Sequence, residues 1–112
     1  MEKRKPTYQL TEIKRLAAEK RVHVVGSASK TADLLGFSEV RIHKTILSLE
    51  TRDFYKAVTA YKNHRVWQDV YRKVIGNLQV YIKLKIVKLD GKFLVIVSFK
   101  EDESSELSST NR

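Results

Sequence analysis

The segment QVYIKLKIVKLDGKFLVIVSFK, residues 79–100, decides the fold of this chain. Two alternating runs of β-branched, aromatic and lysine residues flank Asp90 and Gly91, a pair typical of two-residue hairpin turns because both positions accept positive φ angles. Such a turn places Leu89 opposite Lys92 and fixes the pairs that follow. One face then receives an apolar ladder that we predict to be core, made of Ile82 with Phe99, Leu84 with Val97, and Ile86 with Val95.

The opposite face of this hairpin is predicted to become polar and basic toward its open end. The same register places Tyr81 opposite Lys100 and Lys83 opposite Ser98, with Lys85 one step nearer the turn. A phenol beside ammonium groups can bind a phosphate and exchange protons with it, so this end is a candidate site for phosphate chemistry. Alternating lysines also occur on solvated strands that resist aggregation, and the pattern alone does not separate these two interpretations.

The preceding hairpin turns near Gly76 and Asn77, and its register has two alternatives. A two-residue turn brings further polar residues to the face of Tyr81, through the pairs Arg72 with Tyr81, Val70 with Lys83, and Gln68 with Lys85. A three-residue loop shifts the pairing by one residue, and the face of Tyr81 would then receive Asp69, Tyr71 and Lys73 instead. Periodicity does not decide between them, and the two-residue turn is our preferred prediction.

The N-terminal half of the chain is predicted to form helices. The first is indicated by apolar residues at helical spacing, namely Leu10, Ile13, Leu16 and Ala17. Residues 22–25 then form a short β-branched run. Two more helices are predicted to begin at the N-caps Ser27 and Ser38, the first of them ending at Gly36.

From Phe54 the hydrophobic period changes to two. Four strands are predicted, with the sequences FYKAVTAY (54–61), VWQDVYRKV (66–74), LQVYIKLKIVKL (78–89) and KFLVIVSFK (92–100). Their connections are too short for a crossover helix, so the strands form an antiparallel meander with one face left for the helices to cover. We therefore predict an α+β fold, with N-terminal helices packed on an antiparallel β-sheet.

The charge of the chain is unevenly distributed. The 112 residues include 22 Lys and Arg against 13 Asp and Glu, a formal net charge of +9. Four of the acids lie in the stretch EDESSELSSTNR, and residues 1–100 carry 21 bases and 9 acids, a net charge of +12. We predict one domain over residues 1–100 and a disordered, acidic, Ser-rich tail over residues 101–112. The excess positive charge favours a polyanionic partner, because Lys and Arg release counterions when they bind phosphates.

The composition excludes several classes of site. The chain has no Cys, which rules out a disulfide framework, a zinc finger, an iron–sulfur site and a Cys nucleophile. The His residues, His23, His43 and His64, are widely separated, and neither a metal site nor a cofactor is expected. The longest strongly apolar run is Phe93–Val97, so no signal peptide or membrane span is predicted and a cytoplasmic location is expected.

Several blocks of the sequence resemble a known family in the same order and with closely similar spacing. They are EKRKPTYQL (2–10), SLETRDFYKAVTAY (48–61), VWQDVYR (66–72), QVYIKLKI (79–86) and LVIVSFK (94–100). Over residues 1–101 the chain resembles the MqsR toxins, messenger-RNA-cleaving members of type II toxin–antitoxin systems with a RelE-like fold. Two features depart from the family pattern, since the turn at residues 90–92 is longer and the acidic tail is additional.

The resemblance implies a ribosome-independent and metal-independent endoribonuclease that cleaves mRNA at GC-containing triplets such as GCU and so inhibits translation and growth. Four functional positions of the family match residues of this chain individually, namely Lys56 in DFYKA, Gln68 in VWQDV, Tyr81 in QVYIK and Lys100 in SFK. It also implies an MqsA-like antitoxin with zinc-binding and helix-turn-helix parts. Operator DNA would then be contacted only through that antitoxin.

Cleavage without a metal requires the ribose 2′-oxygen to attack the adjacent phosphorus, with a proton acceptor, stabilisation of the phosphate charge and protonation of the leaving oxygen. In this hypothesis Lys56 and Lys100 stabilise charge, Tyr81 takes part in proton transfer and Gln68 orients the nucleotide. The register adds RNA-binding residues, namely Arg72, Lys83 and Lys85. The ordinary pKa of Tyr and of Lys is about 10, so a general base of either type needs a lowered pKa. The sequence does not say which residue has one. The alternative is a non-catalytic basic module that binds RNA, DNA or protein.

Overall fold

Helices precede most of the strands along the chain, as predicted. The computed structural model describes residues 1–103, and the rest of the predicted tail, residues 104–112, lies outside this range. The elements are β1 (Glu2–Lys3), α1 (Leu10–Ala18), β2 (Val22–Val24), α2 (Gly26–Leu34), α3 (Glu39–Leu47), a 3₁₀ turn (Thr51–Asp53), β3 (Phe54–Thr59), β4 (Trp67–Ile75), β5 (Leu78–Lys88) and β6 (Lys92–Glu101). The predicted α+β class is confirmed.

The strands form a sheet in the order β1-β3-β4-β5-β6-β2. The meander from β3 to β6 is antiparallel, as predicted, and β1 pairs antiparallel with β3. Strand β2 instead pairs parallel with β6, with Val22 opposite Leu94 and Val24 opposite Ile96. A β-branched run of three residues predicts a strand but carries no information about its partner, so this pairing was not foreseen.

The helices pack on one face of the sheet and leave the other face uncovered. The core cluster joins helix residues such as Leu16 and Ile46 to sheet residues such as Ile82, Leu84 and Phe99. Successive side chains of a strand point to opposite faces. The odd-numbered positions of β5 between Tyr81 and Lys85 therefore lie on the side away from the helices.

The predicted register of the β5–β6 hairpin is right at its open end. Tyr81 lies opposite Lys100, Ile82 opposite Phe99, and Lys83 opposite Ser98. The preferred register of the preceding hairpin is also confirmed, with Ile75 opposite Leu78, Arg72 opposite Tyr81, and Val70 opposite Lys83 across the Gly76–Asn77 turn. The two predicted registers thus agree with the structure around Tyr81.

Near the turn of the β5–β6 hairpin, the predicted register differs from the observed one by one residue. Lys88 lies opposite Lys92, so the loop has Leu89 in addition to Asp90 and Gly91, whose φ angles are +57° and +100°. The register shifts between Lys83 and Leu84, which leaves an extra residue in β6. A one-residue slip exchanges the faces of a strand. The buried residues are therefore Leu94 and Ile96, in place of the predicted Val95 and Val97, and Lys85 lies opposite Val95.

A buried carboxylate fastens the segment between β1 and α1 to the sheet. Asp69 on β4 is fully buried, and its carboxylate accepts hydrogen bonds from the backbone N–H groups of Thr7 (2.9 and 3.0 Å) and Tyr8 (2.9 Å). The Tyr8 hydroxyl donates to the Trp67 carbonyl at 2.7 Å. These bonds hold the N-terminal segment in the position from which β1 reaches β3.

The ordered chain continues beyond the predicted domain boundary. Strand β6 extends to Glu101, and Asp102 is only 3% exposed, with its backbone N–H donating to the Gln79 carbonyl at 2.7 Å. The first residue of the predicted tail, Glu101, thus lies in β6, and the second, Asp102, is hydrogen-bonded to β5. In residues 1–103 no helix is long and apolar enough to cross a membrane.

The two predicted serine caps have different outcomes. The Ser38 hydroxyl accepts from the Arg41 N–H at 3.2 Å and caps α3, whereas α2 begins one residue before Ser27 and has Val25 as its N-cap without a side-chain bond. The glycine stop of α2 is confirmed, since Gly36 has φ of +85° just after the helix.

Replacing Ser38 with alanine is expected to lower the free energy of unfolding by about 1 kcal/mol, because one backbone donor of α3 loses its acceptor. Ser27→Ala is the matched control and should change it by less than about 0.5 kcal/mol. Urea denaturation of the two variants measures both values. Equal effects would contradict the capping role of Ser38.

Candidate active site

The face away from the helices brings all the predicted site residues together. One cross-strand row runs from Lys56 through Val70 and Lys83 to Ser98. The next row toward the open end of the hairpin contains Arg72, Tyr81 and Lys100. Alternation along β4 and β5 places Gln68 and Lys85 on the same face, in the row on the other side of Lys83.

Tyr81 and Lys100 form the contact that the hairpin register predicted. The Lys100 Nζ lies 5.1 Å from the centroid of the Tyr81 ring, within the range of a cation–π interaction. Burial raises the pKa of the Tyr81 phenol above its ordinary range, the Lys56 ammonium acts in the opposite direction, and the Asp102 carboxylate adds to the rise. Tyr81 therefore stays protonated at neutral pH and can donate a proton.

Lys56 is held by a carboxylate from the first strand. Its Nζ donates to Glu2 Oε2 at 2.9 Å, and this hydrogen bond together with the lysine charge lowers the pKa of the Glu2 carboxyl. Glu2 was not predicted as a site residue, because a two-residue strand at the start of the chain gives no periodic signal. The ion pair orients the Lys56 ammonium at the edge of the face.

Lys83 occupies the middle of the site and is half-buried. Its neighbour across β4 is Val70, which is fully buried although it lies on the face away from the helices. Burial lowers the pKa of the Lys83 ammonium, and the charges of Lys100 and Lys56 lower it further. Three lysines thus lie within electrostatic reach of one another beside Tyr81.

Gln68 and Lys85 lie at the other end of the face. Gln68 is 6% exposed and lies opposite Val58 on β3, and Lys85 is half-buried. Gln68 and Tyr81 lie in the two rows that flank the row of Lys83. Because residues two apart on a strand are separated by about 7 Å, each of these rows lies about 7 Å from Lys83. The face is long enough to contact several consecutive nucleotides.

Two further residues at the site, Tyr55 and Asp102, were not predicted from the sequence, and both contact Arg72. The Arg72 Cζ lies 3.8 Å from the centroid of the Tyr55 ring, and its Nη1 lies 3.6 Å from Asp102 Oδ2. The Lys56 Nζ also approaches the Tyr55 ring, at 5.1 Å. Strand alternation predicts that Tyr55 and Lys56 point to opposite faces, but the register shifts between Phe54 and Lys56. Asp102 was missed because its sequence belongs to the acidic stretch.

The site is basic and contains few groups suited to metal binding. Within the described residues, no three His, Cys, Asp or Glu side chains converge on a point. The chemistry that the arrangement can perform follows from its amines, its phenol and its amide. These groups can bind a phosphodiester, stabilise additional negative charge on it and transfer protons to or from its oxygens.

Comparison with known proteins agrees with this arrangement. Residues 5–101 match the family model described as "Motility quorum-sensing regulator, toxin of MqsA". The chain is also 40% identical over 101 residues to the mRNA interferase toxin MqsR of Escherichia coli (strain K12), a match that covers 90% of this chain and 99% of the relative. Both matches span the strands that carry the basic face, and the chain belongs to the MqsR toxin family.

Proposed function

We propose that this protein is the toxin of a type II toxin–antitoxin system and cleaves mRNA as an endoribonuclease on the basic face. The E. coli relative is named an mRNA interferase toxin. The observation that carries the proposal is the convergence of Tyr81, Lys83, Lys100 and Lys56 on one face that the helices leave uncovered. We further propose that cleavage needs neither a ribosome nor a metal ion, occurs in the cytoplasm and prefers GC-containing triplets such as GCU.

The reaction that suits these groups is attack of the ribose 2′-oxygen on the adjacent phosphorus. Lys56 and Lys100 stabilise the negative charge that grows on the non-bridging oxygens. Tyr81 donates its proton to the departing 5′-oxygen, a role that fits its raised pKa. The products are then a 2′,3′-cyclic phosphate, which can open to a 3′-phosphate, and a 5′-hydroxyl.

The remaining polar residues of the face bind the flanking RNA. Gln68 has a neutral amide that can donate to and accept from a base edge, so it orients the nucleotide at the cleavage site. Arg72 and Lys85 lie one on each side of the Lys83 row and bind the neighbouring phosphates. Lys83 lies in the row between them and contacts the nucleotide at the cleavage site.

The proposed partners are mRNA and a cognate antitoxin. The matching family is described as the toxin of MqsA. We propose an MqsA-like antitoxin with a zinc-binding part and a helix-turn-helix part, and contact with operator DNA only through that antitoxin. Growth arrest on expression of the toxin, relieved by co-expression of the protein encoded beside it, tests this proposal.

Purified protein should cleave a synthetic RNA that contains a single GCU triplet, and excess EDTA should leave the rate unchanged, because no role in the mechanism requires a metal. Analysis of the ends should find a 2′,3′-cyclic phosphate or 3′-phosphate and a 5′-hydroxyl. An RNA with the triplet scrambled is the control for sequence preference. A 5′-phosphate product would contradict the mechanism, and RNA binding without cleavage would favour the non-catalytic basic module.

A further inference from the structure

The proposed reaction needs a group that accepts the proton of the ribose 2′-hydroxyl. Tyr81 does not suit this role, because burial raises its pKa and keeps the phenol protonated. Lys56 donates to Glu2 at 2.9 Å, and Lys100 lies over the Tyr81 ring at 5.1 Å, so each makes an interaction that depends on its ammonium form. The base must therefore be sought among the other groups of the face.

Lys83 has the environment that a neutral amine needs. It is half-buried in the middle of the face, between Val70 and Ser98 of the neighbouring strands. Within the described range it makes no ion pair with a carboxylate, and the charges of Lys100 and Lys56 disfavour its ammonium form. The pKa of Lys83 is lowered by burial first and by these two charges second.

The charged and titratable groups around Lys83 come from every neighbouring strand. Those on its own face or paired with residues of that face are Tyr81 and Lys85 from β5, Arg72 from β4, Tyr55 and Lys56 from β3, Glu2 from β1, and Lys100 with Asp102 from β6 and its end. The two carboxylates in this set are Glu2, which pairs with Lys56, and Asp102, which pairs with Arg72, so each has a cation other than Lys83 as its partner.

We propose that Lys83 is the general base of the cleavage reaction, an inference that rests on the function proposed above. Its neutral Nζ takes the proton of the 2′-hydroxyl while the 2′-oxygen bonds to phosphorus, and the bond from phosphorus to the 5′-oxygen breaks as Tyr81 protonates that oxygen. Solvent then takes the extra proton from Lys83 and returns one to Tyr81. In-line attack places the base and the acid on opposite sides of the phosphorus, and these two residues are about 7 Å apart along β5.

The test compares Lys83→Arg with Lys83→Met in single-turnover cleavage of the GCU-containing RNA. Arginine keeps the positive charge but does not lose its proton in proteins, so it can bind a phosphate and cannot act as a base. Both variants should cleave about a hundredfold more slowly than the wild type, or slower still. The matched control is Lys30, which is exposed on α2 on the other side of the sheet, and both its arginine and its methionine variant should cleave at the wild-type rate.

The dependence of the rate on pH gives a readout that a phosphate-binding role would not move. The wild-type rate should rise with pH and level off below the usual lysine pKa of 10.5, once Lys83 is neutral. In Lys83→Arg the residual rate should rise without this inflection. In Lys83→Ala, added ethylamine should restore part of the rate in proportion to its free-amine concentration, and circular dichroism should confirm that the variant is folded.

Each remaining outcome counts against a specific step. If Lys83→Arg cleaved RNA at the wild-type rate, the inference would be overturned. The same holds if its residual rate levelled off at the same pH as the wild-type rate, because either result would mean that another group is the base. A folded Lys83→Ala variant that ethylamine does not rescue would also count against it. If the wild-type protein itself binds but does not cleave RNA, the proposed function fails and the base has no reaction to serve.

Discussion

Replacement of Tyr81 with phenylalanine is expected to reduce the single-turnover rate of RNA cleavage by about 10²–10⁴-fold with little change in RNA affinity. The substitution removes the hydroxyl and keeps the ring, so the packing of Lys100 over the ring at 5.1 Å is preserved. The raised pKa of the phenol means that the wild type carries this proton at neutral pH. Gel-based kinetics at saturating enzyme, with affinity measured on an uncleavable 2′-deoxy substrate, separate the two quantities.

A leaving group that needs no proton provides the internal check on this prediction. An RNA with sulfur in place of the scissile 5′-oxygen should be cleaved by Tyr81→Phe at nearly the wild-type rate, since a thiolate departs without protonation. Tyr61→Phe is the control, because Tyr61 is 91% exposed in the loop between β3 and β4, and it should leave both rates unchanged. If Tyr81→Phe cleaved the ordinary RNA normally, the acid would have to be another group.

Asp69→Ala is expected to lower the free energy of unfolding by about 3 kcal/mol or more. The buried carboxylate accepts hydrogen bonds from the N–H groups of Thr7 and Tyr8, and hydrogen bonds to charged groups contribute about 1.5–3 kcal/mol each. Alanine leaves both donors without an acceptor in a part-buried segment. The loss is a large share of the stability of a typical domain, which is about 5–15 kcal/mol.

Urea denaturation measures this loss, and Asp33→Ala serves as the control. Asp33 is exposed near the end of α2, and its removal should change the free energy of unfolding by less than about 0.5 kcal/mol. Amide hydrogen exchange should also accelerate at Thr7 and Tyr8 in Asp69→Ala. Wild-type stability in this variant would show that the N-terminal segment is held by other contacts.

The sequence predicted the register well where the two faces of a strand differ strongly. Tyr81 and Lys83 alternate with the apolar Ile82 and Leu84, so only one parity buries the apolar set. Between Leu94 and Val97 every residue is apolar. A slip by one residue there preserves the hydrophobic pattern, and periodicity could not detect the extra residue that the structure places in β6.

The sequence could predict which residues meet on the basic face, but it could not predict which of them carry a proton. The family resemblance supplied Lys56, Gln68, Tyr81 and Lys100, and the hairpin registers independently placed Tyr81 beside Lys100. Burial and long-range contacts decide which group holds a proton, and neither can be read from local pattern. The glutamate that pairs with Lys56 and the aspartate that pairs with Arg72 come from the first and last parts of the described chain.

The position of β6 between β5 and β2 has a consequence for how the protein folds. The parallel pair joins residues 22–24 to residues 94–96, so its contacts close a loop that runs from residue 25 to residue 93. Non-local contacts of this kind slow folding, because the entropy of closing the loop is lost before the contacts form. Strand β6 also supplies core residues beneath α1 and α2 and carries Lys100. A chain that stops before β6 therefore has neither a closed core nor a complete site, and RNA cleavage should appear only when the entire domain has been made.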